Sequence, residues 1–260
     1  MGALKAMFSF FTMLRIDIDE DDMMAMDRSF HLVPLVGLFY GVMAFVMLTL
    51  LSAVVDTLIA AVATLFAVSM MNRFLHLDGV MDLGDGLVVS GGREDHLRAL
   101  KDSRIGAGGV AFAVFATLLA VTAWSALVAA GIIVIVLMAE VYSRNASVAA
   151  AAFGIPGPGM AGESVRNTGL LSLIKSSTLS VAVTLPFLLY LTHIGDWSYA
   201  QVLVITVLML AVSVTSGWSM SKVAYRNFGM VNGDVLGATN ELTRSLLAIA
   251  SLAVFSWMFW

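Results

Sequence analysis

Three aspartates, Asp78, Asp82 and Asp85, stand at i, i+4 and i+7 in the stretch HLDGVMDLGDG, residues 76–86. On a helix this spacing puts all three carboxylates on one stripe. Like charges so placed repel each other, and beside a membrane they are costly without a cation. A hard divalent ion held through oxygen, Mg²⁺ arriving with the phosphates of a substrate, resolves the conflict. The alternative is a solvated acidic helix end, but the flanks are apolar and the spacing is regular. Gly79 and Gly86 each follow an aspartate, and their missing side chains would let a bulky phosphate approach the backbone. His76 adjoins the stripe and is a candidate substrate-binding residue, whereas His31 and His193 are isolated and read as structural.

Two more polar stretches carry candidate residues. In Arg93–Gly106, Asp102 could be a fourth metal ligand or a base, and Lys101, Arg104 and Arg98 could hold phosphates, arginine as a fork and lysine as a point charge. The same stretch from Arg93 to His96 reads equally well as an amphipathic surface helix. In Gly229–Glu241, Asp234 and Asn240 could complete a metal or nucleotide site; the plainer reading is a turn aspartate with helix-capping polar residues. Glu140 and Arg144, at i and i+4 in an apolar run, are either an intrahelical ion pair facing a bundle interior or a means of aiming Arg144, with Asn145, at a substrate. The glycine- and proline-rich stretch 154–169 is either a connector or a lid over the site.

The elements that must position these residues are membrane helices. Of 260 residues, 60% are hydrophobic and 12% charged, and the mean hydropathy is +0.93. That is more apolar surface than one soluble core can bury. Candidate spans lie at about 32–55, 57–77, 107–130, 131–153, 178–194, 200–221 and 243–260, which predicts an all-α polytopic bundle of about seven helices in one integral-membrane domain, residues 1–260. Residues 1–30 read as a retained interfacial segment and not as a signal peptide. Lysine and arginine concentrate in that segment and around 78–106, 154–177 and 222–242, while the loops near Asp56, Gly131 and Asp196 have none. The asymmetry predicts a cytoplasmic N-terminus, the candidate site on the cytoplasmic face and an external C-terminus. A net charge of −4 gives no reason to expect a nucleic-acid partner. With no cysteine, disulfides, thiolate metal sites and cysteine nucleophiles are excluded.

The boxes HLDGVMDLGDG (76–86), KDSRIGAGG (101–109) and NGDVLGATNEL (232–242), together with FSFFTMLRI near the N-terminus and FHLVPLVGLFYG (30–41), resemble the cobalamin synthase family, the adenosylcobinamide-GDP ribazoletransferases. The similarity runs in order along nearly the whole chain. It implies a cell-membrane transferase, set among membrane lipids, that joins adenosylcobinamide-GDP to α-ribazole or its 5′-phosphate with Mg²⁺ and releases GMP. On this resemblance Asp78, Asp82 and Asp85 match the family's acidic motif, Asp102 and Arg104 its DSR box and Asp234 its GD box. The chemistry to expect is phosphoryl transfer: the three aspartates hold Mg²⁺ on the pyrophosphate, Lys101 and Arg104 assist, and Asp85 or Asp102 accepts the proton of the ribazole hydroxyl. Oligomeric state stays open.

Three other readings compete. A CDP-alcohol phosphotransferase would need a DG-x-x-A-R continuation that this chain lacks, and an aspartate-rich prenyltransferase would need a second distant acidic box. A secondary transporter would carry acids at a midplane site between repeats, and no repeat is visible here.

Overall fold

In the computed structural model the chain is helical. The structure describes residues 2–194 and 197–259, and the side chains of these except at 191, 193, 194, 258 and 259; Asp196, His193 and the end of the last expected span at 260 lie outside that set. The helices are α1 (Gly2–Phe11), α2 (Glu20–Arg28), α3 (Pro34–Ser52), α4 (Thr57–Met71), α5 (Leu75–Val88), α6 (Arg93–Leu100), α7 (Ala107–Ala129), α8 (Val134–Phe153), α9 (Met160–Arg166), α10 (Leu170–Ile194), α11 (Tyr199–Phe228) and α12 (Gly233–Phe259). Among the described residues five helices are long and apolar enough to cross a membrane: the run Phe30–Ser52, α7, α8, most of α10, and α11. A sixth is reached if α4 and α5 count as one bent span. Large apolar side chains stand exposed around the outside, Leu50, Phe66, Phe115, Leu171 and Leu203 among them, as expected of surface that meets lipid.

The bundle is built around α8, which is buried from Val134 to Ala151 and packs against α3, α10, α11 and α12. Small residues make that possible, because helices in lipid associate through close backbone approach. An added Cβ on Gly41 of α3 would lie 2.6 Å from the Leu137 carbonyl oxygen, and one on Gly37 would lie 2.6 Å from that of Glu140. Polar side chains on α8 then tie its neighbours. Asn145 donates to Ser213 Oγ on α11 at 3.0 Å and meets Ser177 on α10 at 3.3 Å. Asn145 is therefore a bundle tether, not the companion that aims Arg144 at a substrate.

The aspartate stripe does not continue the second span. α4 stops at Met71, and α5 leaves it at 92°. Arg73 and Phe74 make the corner in the left-handed region, at φ 57° and 58°. Neither is glycine, and such residues cost on the order of 1–3 kcal/mol each unless their surroundings hold them. The holding contact is Arg73, whose Nη2 donates to the carbonyls of Ser9 at 2.9 Å and Thr12 at 2.7 Å, at the end of α1. The Tyr40 hydroxyl donates to the Phe11 carbonyl at 2.6 Å, so α1 is pinned to both α3 and the corner.

Gly37→Ala should lower stability by about 1–3 kcal/mol, since the methyl meets backbone that cannot yield. Thermal melting in detergent checks this; an unchanged midpoint would contradict the close α3–α8 contact.

Candidate active site

Helix α5 carries Asp78, Asp82 and Asp85 on one continuous helix, so the expected stripe exists. The three do different things. Asp85 accepts the backbone N–H of Gly106 at 2.7 Å through one oxygen and that of Gly109 at 2.8 Å through the other. It thereby caps α7, and its charge faces the positive end of that helix. Gly109 is needed there, because a Cβ would come 2.7 Å from the Asp85 carboxylate. Asp82 stands in the field of Asp234, Asp78 and Asp85. Among the described residues neither the Asp78 nor the Asp82 carboxylate has a hydrogen-bond or ion-pair partner.

Asp234 reaches the stripe because α12 begins against α5. A Cβ on Gly79 would lie 2.7 Å from the Asp234 carbonyl oxygen and 3.1 Å from its Cα. Gly86 packs on the Phe228 ring in the same manner. These glycines seat helices on one another; they do not open the backbone to a phosphate. Asn232 accepts the Val235 N–H at 3.1 Å and donates to Asp234 at 2.6 Å, so the capping role falls to Asn232 and leaves Asp234 oriented beside it. Lys101 lies close enough to act on the Asp234 carboxylate.

The DSR box is turned to solvent. Arg104 grips Asp102 as a fork, Nε to Oδ1 at 3.1 Å and Nη2 to Oδ2 at 2.8 Å. That hydrogen bonding holds the Asp102 carboxyl down at about 2, which makes it a weak base at neutral pH. Arg93 donates to the Tyr225 carbonyl and stacks on the Tyr225 ring, and His96 bonds the Gly86 carbonyl, so the first half of this stretch is structural.

Behind the acids lies a cavity of about 130 Å³. Asp78 and Asp234 line its wall together with His76, Arg144, Ser147 and Asn240. Phe10, Phe11, Met26 and Phe30 form an apolar roof from the N-terminal segment. The 154–169 stretch reaches the cavity through Met160, Ala161 and Ser164, is bridged to Val231 at Pro156, and is bonded to α2 by Ser164 donating to Asp27 at 2.6 Å. It walls the site rather than merely connecting two helices. The N-terminal aromatics are functional-site candidates that residue spacing could not single out, since their positions become meaningful only once α1 folds under the corner.

The ion-pair reading of Glu140 and Arg144 holds. The two form a buried ion pair, and Arg244 reaches Glu140 at 2.6 Å and Glu241 at 2.8 Å. Arg144 also lines the cavity, its guanidinium over the Tyr40 ring. His76 Nδ1 stands 2.9 Å from Asn240 Nδ2. With the amide donating, the ring accepts there, and His76 orients Asn240.

Among the described residues no three His, Asp or Glu side chains converge as a ready-made metal cage. Mg²⁺ does not need one, because it is commonly held by one or two carboxylates, waters and the substrate's phosphates. Asp78 and Asp82, two acids without partners in a crowded field, fit that demand. Asp85, with both oxygens engaged, fits it less well.

Asp85→Ala removes two bonds to a charged acceptor and should cost about 2–5 kcal/mol with no metal present. Metal-free thermal melts, with hydrogen exchange at Gly106 and Gly109, check it. An unchanged melt would return Asp85 to a purely metal-binding role.

Comparison with known proteins completes the picture. The sequence pattern described as cobalamin-5-phosphate synthase matches residues 3–252. Proteins named adenosylcobinamide-GDP ribazoletransferase are similar along nearly their whole length. The one from Methanocella arvoryzae is 30% identical over 100% of this chain and 97% of its own. That from Halorubrum lacusprofundi is 31% identical over 99% and 98%, and that from Syntrophobacter fumaroxidans is 32% identical over 88% of each. No solved structure gives a significant match. The matched region takes in the acidic stripe, the DSR box, the start of α12 and the cavity roof alike, and the chain belongs to the cobalamin-5-phosphate synthase family.

Proposed function

We propose that this chain transfers the phosphoryl-cobinamide portion of adenosylcobinamide-GDP to ribazole, a benzimidazole ribonucleoside, or to its 5′-phosphate, and releases GMP. The observation that carries the reading is the meeting of Asp78 and Asp234, from two distant segments and with Asp82 in their field, at the wall of a cavity that is polar on one side and aromatic on the other. A ribazole hydroxyl oxygen bonds to the phosphorus bearing cobinamide. The bond from that phosphorus to the oxygen bridging to GMP breaks, and GMP leaves with the electron pair.

Phosphoryl transfer asks the protein mainly for positioning and charge stabilisation. Asp78 and Asp82 would hold Mg²⁺. When bound, Mg²⁺ neutralises charge on the pyrophosphate and the departing GMP. Lys101 adds a positive charge beside Asp234. Asp234 takes the hydroxyl proton, since it lines the cavity and lies off the α5 stripe. Asp85 and Asp102 are already engaged, by the start of α7 and by Arg104. Arg104 swings its fork from Asp102 to a phosphate when the donor arrives. The chain works as a multi-pass protein of the cell membrane with the site facing the cytoplasm, the side favoured by its lysines and arginines. A transporter reading gains no support, because the acids gather at one cavity wall beside loops.

Asp82→Asn should lower GMP release from adenosylcobinamide-GDP and ribazole in Mg²⁺-containing micelles by about a hundredfold or more, with the melting midpoint kept or raised as repulsion is relieved. Wild-type rates in a folded Asp82→Asn protein would remove the proposal.

A further inference from the structure

The cavity holds polar atoms that the fold leaves unsatisfied. Arg144 is 2% exposed and Asn240 1% exposed. Arg144 Nε and Nη2 and Asn240 Oδ1 have no hydrogen-bond partner. Buried donors and acceptors are nearly always paired, and each orphan costs on the order of 1–3 kcal/mol. Arg144 on α8 and Asn240 on α12 both line the same small space.

The rest of the cavity says what the missing partner is. Facing the polar floor is an apolar roof that includes Phe10, Phe11 and Phe30. The charges do not invite an anion. Arg144 is paired with Glu140, and Arg244 with Glu140 and Glu241, so these two cations and two anions cancel. Asp78 and Asp234 then leave the lining negative. Any cation held by Asp78 and Asp82 is taken up by the phosphates at the mouth, so a phosphate deeper in would meet no uncompensated cation. A volume of about 130 Å³ suits a small ring system. The occupant is therefore uncharged, planar and apolar over its faces, with an acceptor and a hydroxyl donor at its edge.

Resting on the reading above, we infer that this cavity binds the benzimidazole end of the acceptor nucleoside, with Arg144 donating to its free ring nitrogen and Asn240 Oδ1 accepting from a sugar hydroxyl. The aromatic roof covers the ring faces. The anionic parts of both substrates, any 5′-phosphate included, stay at the mouth with the aspartates and the cation. The N-terminal segment is thus part of the acceptor site, and the donor nucleotide does not touch it.

The test uses the full-length protein in detergent micelles and reads two quantities. Calorimetry with ribazole alone, without donor, should show binding that weakens by about tenfold in Asn240→Ala. In turnover, Asn240→Ala should raise KM for ribazole by a similar factor while KM for adenosylcobinamide-GDP stays within about twofold. Phe10→Ala, at a partly exposed position that need not disturb folding, should move the same KM in the same direction. A rise in donor KM instead, or an unchanged ribazole KM in both folded variants, overturns the assignment. A wild-type protein that binds ribazole but releases no GMP would overturn the activity and leave the cavity assignment standing. One that releases GMP with no change in ribazole affinity across these variants would do the reverse.

Discussion

Mutual repulsion among Asp78, Asp82, Asp85 and Asp234 is the constraint around which this end of the molecule is arranged. Gathering four carboxylates, Asp78 exposed and the other three partly buried, is unfavourable unless each charge is answered. Two are answered within the chain. Asp85 receives two backbone N–H groups at the start of α7, and Asp234 receives the Asn232 amide and the field of Lys101. Asp78 and Asp82 receive nothing of the kind among the described residues. The imbalance is local, and it sits beside the mouth of a cavity. In the proposed function, a cation that arrives with the substrate's phosphates answers these two charges.

A second set of charges lies deeper and is handled differently. Glu140, Arg144, Glu241 and Arg244 are all nearly or fully buried, and they answer one another across α8 and α12. Arg144 lies over Tyr40 and Arg244 over Trp124, which extends the contact to α3 and α7. Such a cluster contributes little net stability compared with apolar packing, but a helix register that broke one of its pairs would leave a buried charge unanswered. The register that keeps the pairs presents Arg144, Asn240 and Ser147 to the cavity. The orphaned atoms there are the place where the structural network gives way to ligand binding.

Much of this was legible in the residues themselves. The i, i+4, i+7 spacing announced one helical face, and the apolar runs announced the bundle within a few residues at most ends. What the spacing could not announce was partnership over long distances. Nothing in Asn72-Arg73-Phe74, with no glycine or proline, signals a 92° corner; it exists because α1, some sixty residues earlier, supplies carbonyls to Arg73. Asp85 looked identical to Asp78 and Asp82 until the start of α7 was placed against it. Asp102 looked like a base until Arg104 closed on it. Gly79 and Gly86 looked like phosphate clearances, and proved to be the points where α12 and α11 press on α5. The aromatic roof came from a segment whose composition suggested only that it lies at an interface.

The central claim is that Asp78 and Asp82 are poised for a divalent ion that arrives with phosphates. Mn²⁺ can stand in for Mg²⁺ and be followed by its paramagnetic resonance in protein-containing micelles. The account predicts weak Mn²⁺ binding to the protein alone and binding at least about tenfold tighter when adenosylcobinamide-GDP is present, because the substrate supplies the remaining oxygen ligands. Mn²⁺ affinity that is the same with and without that substrate, beyond what the substrate binds free in solution, would contradict it.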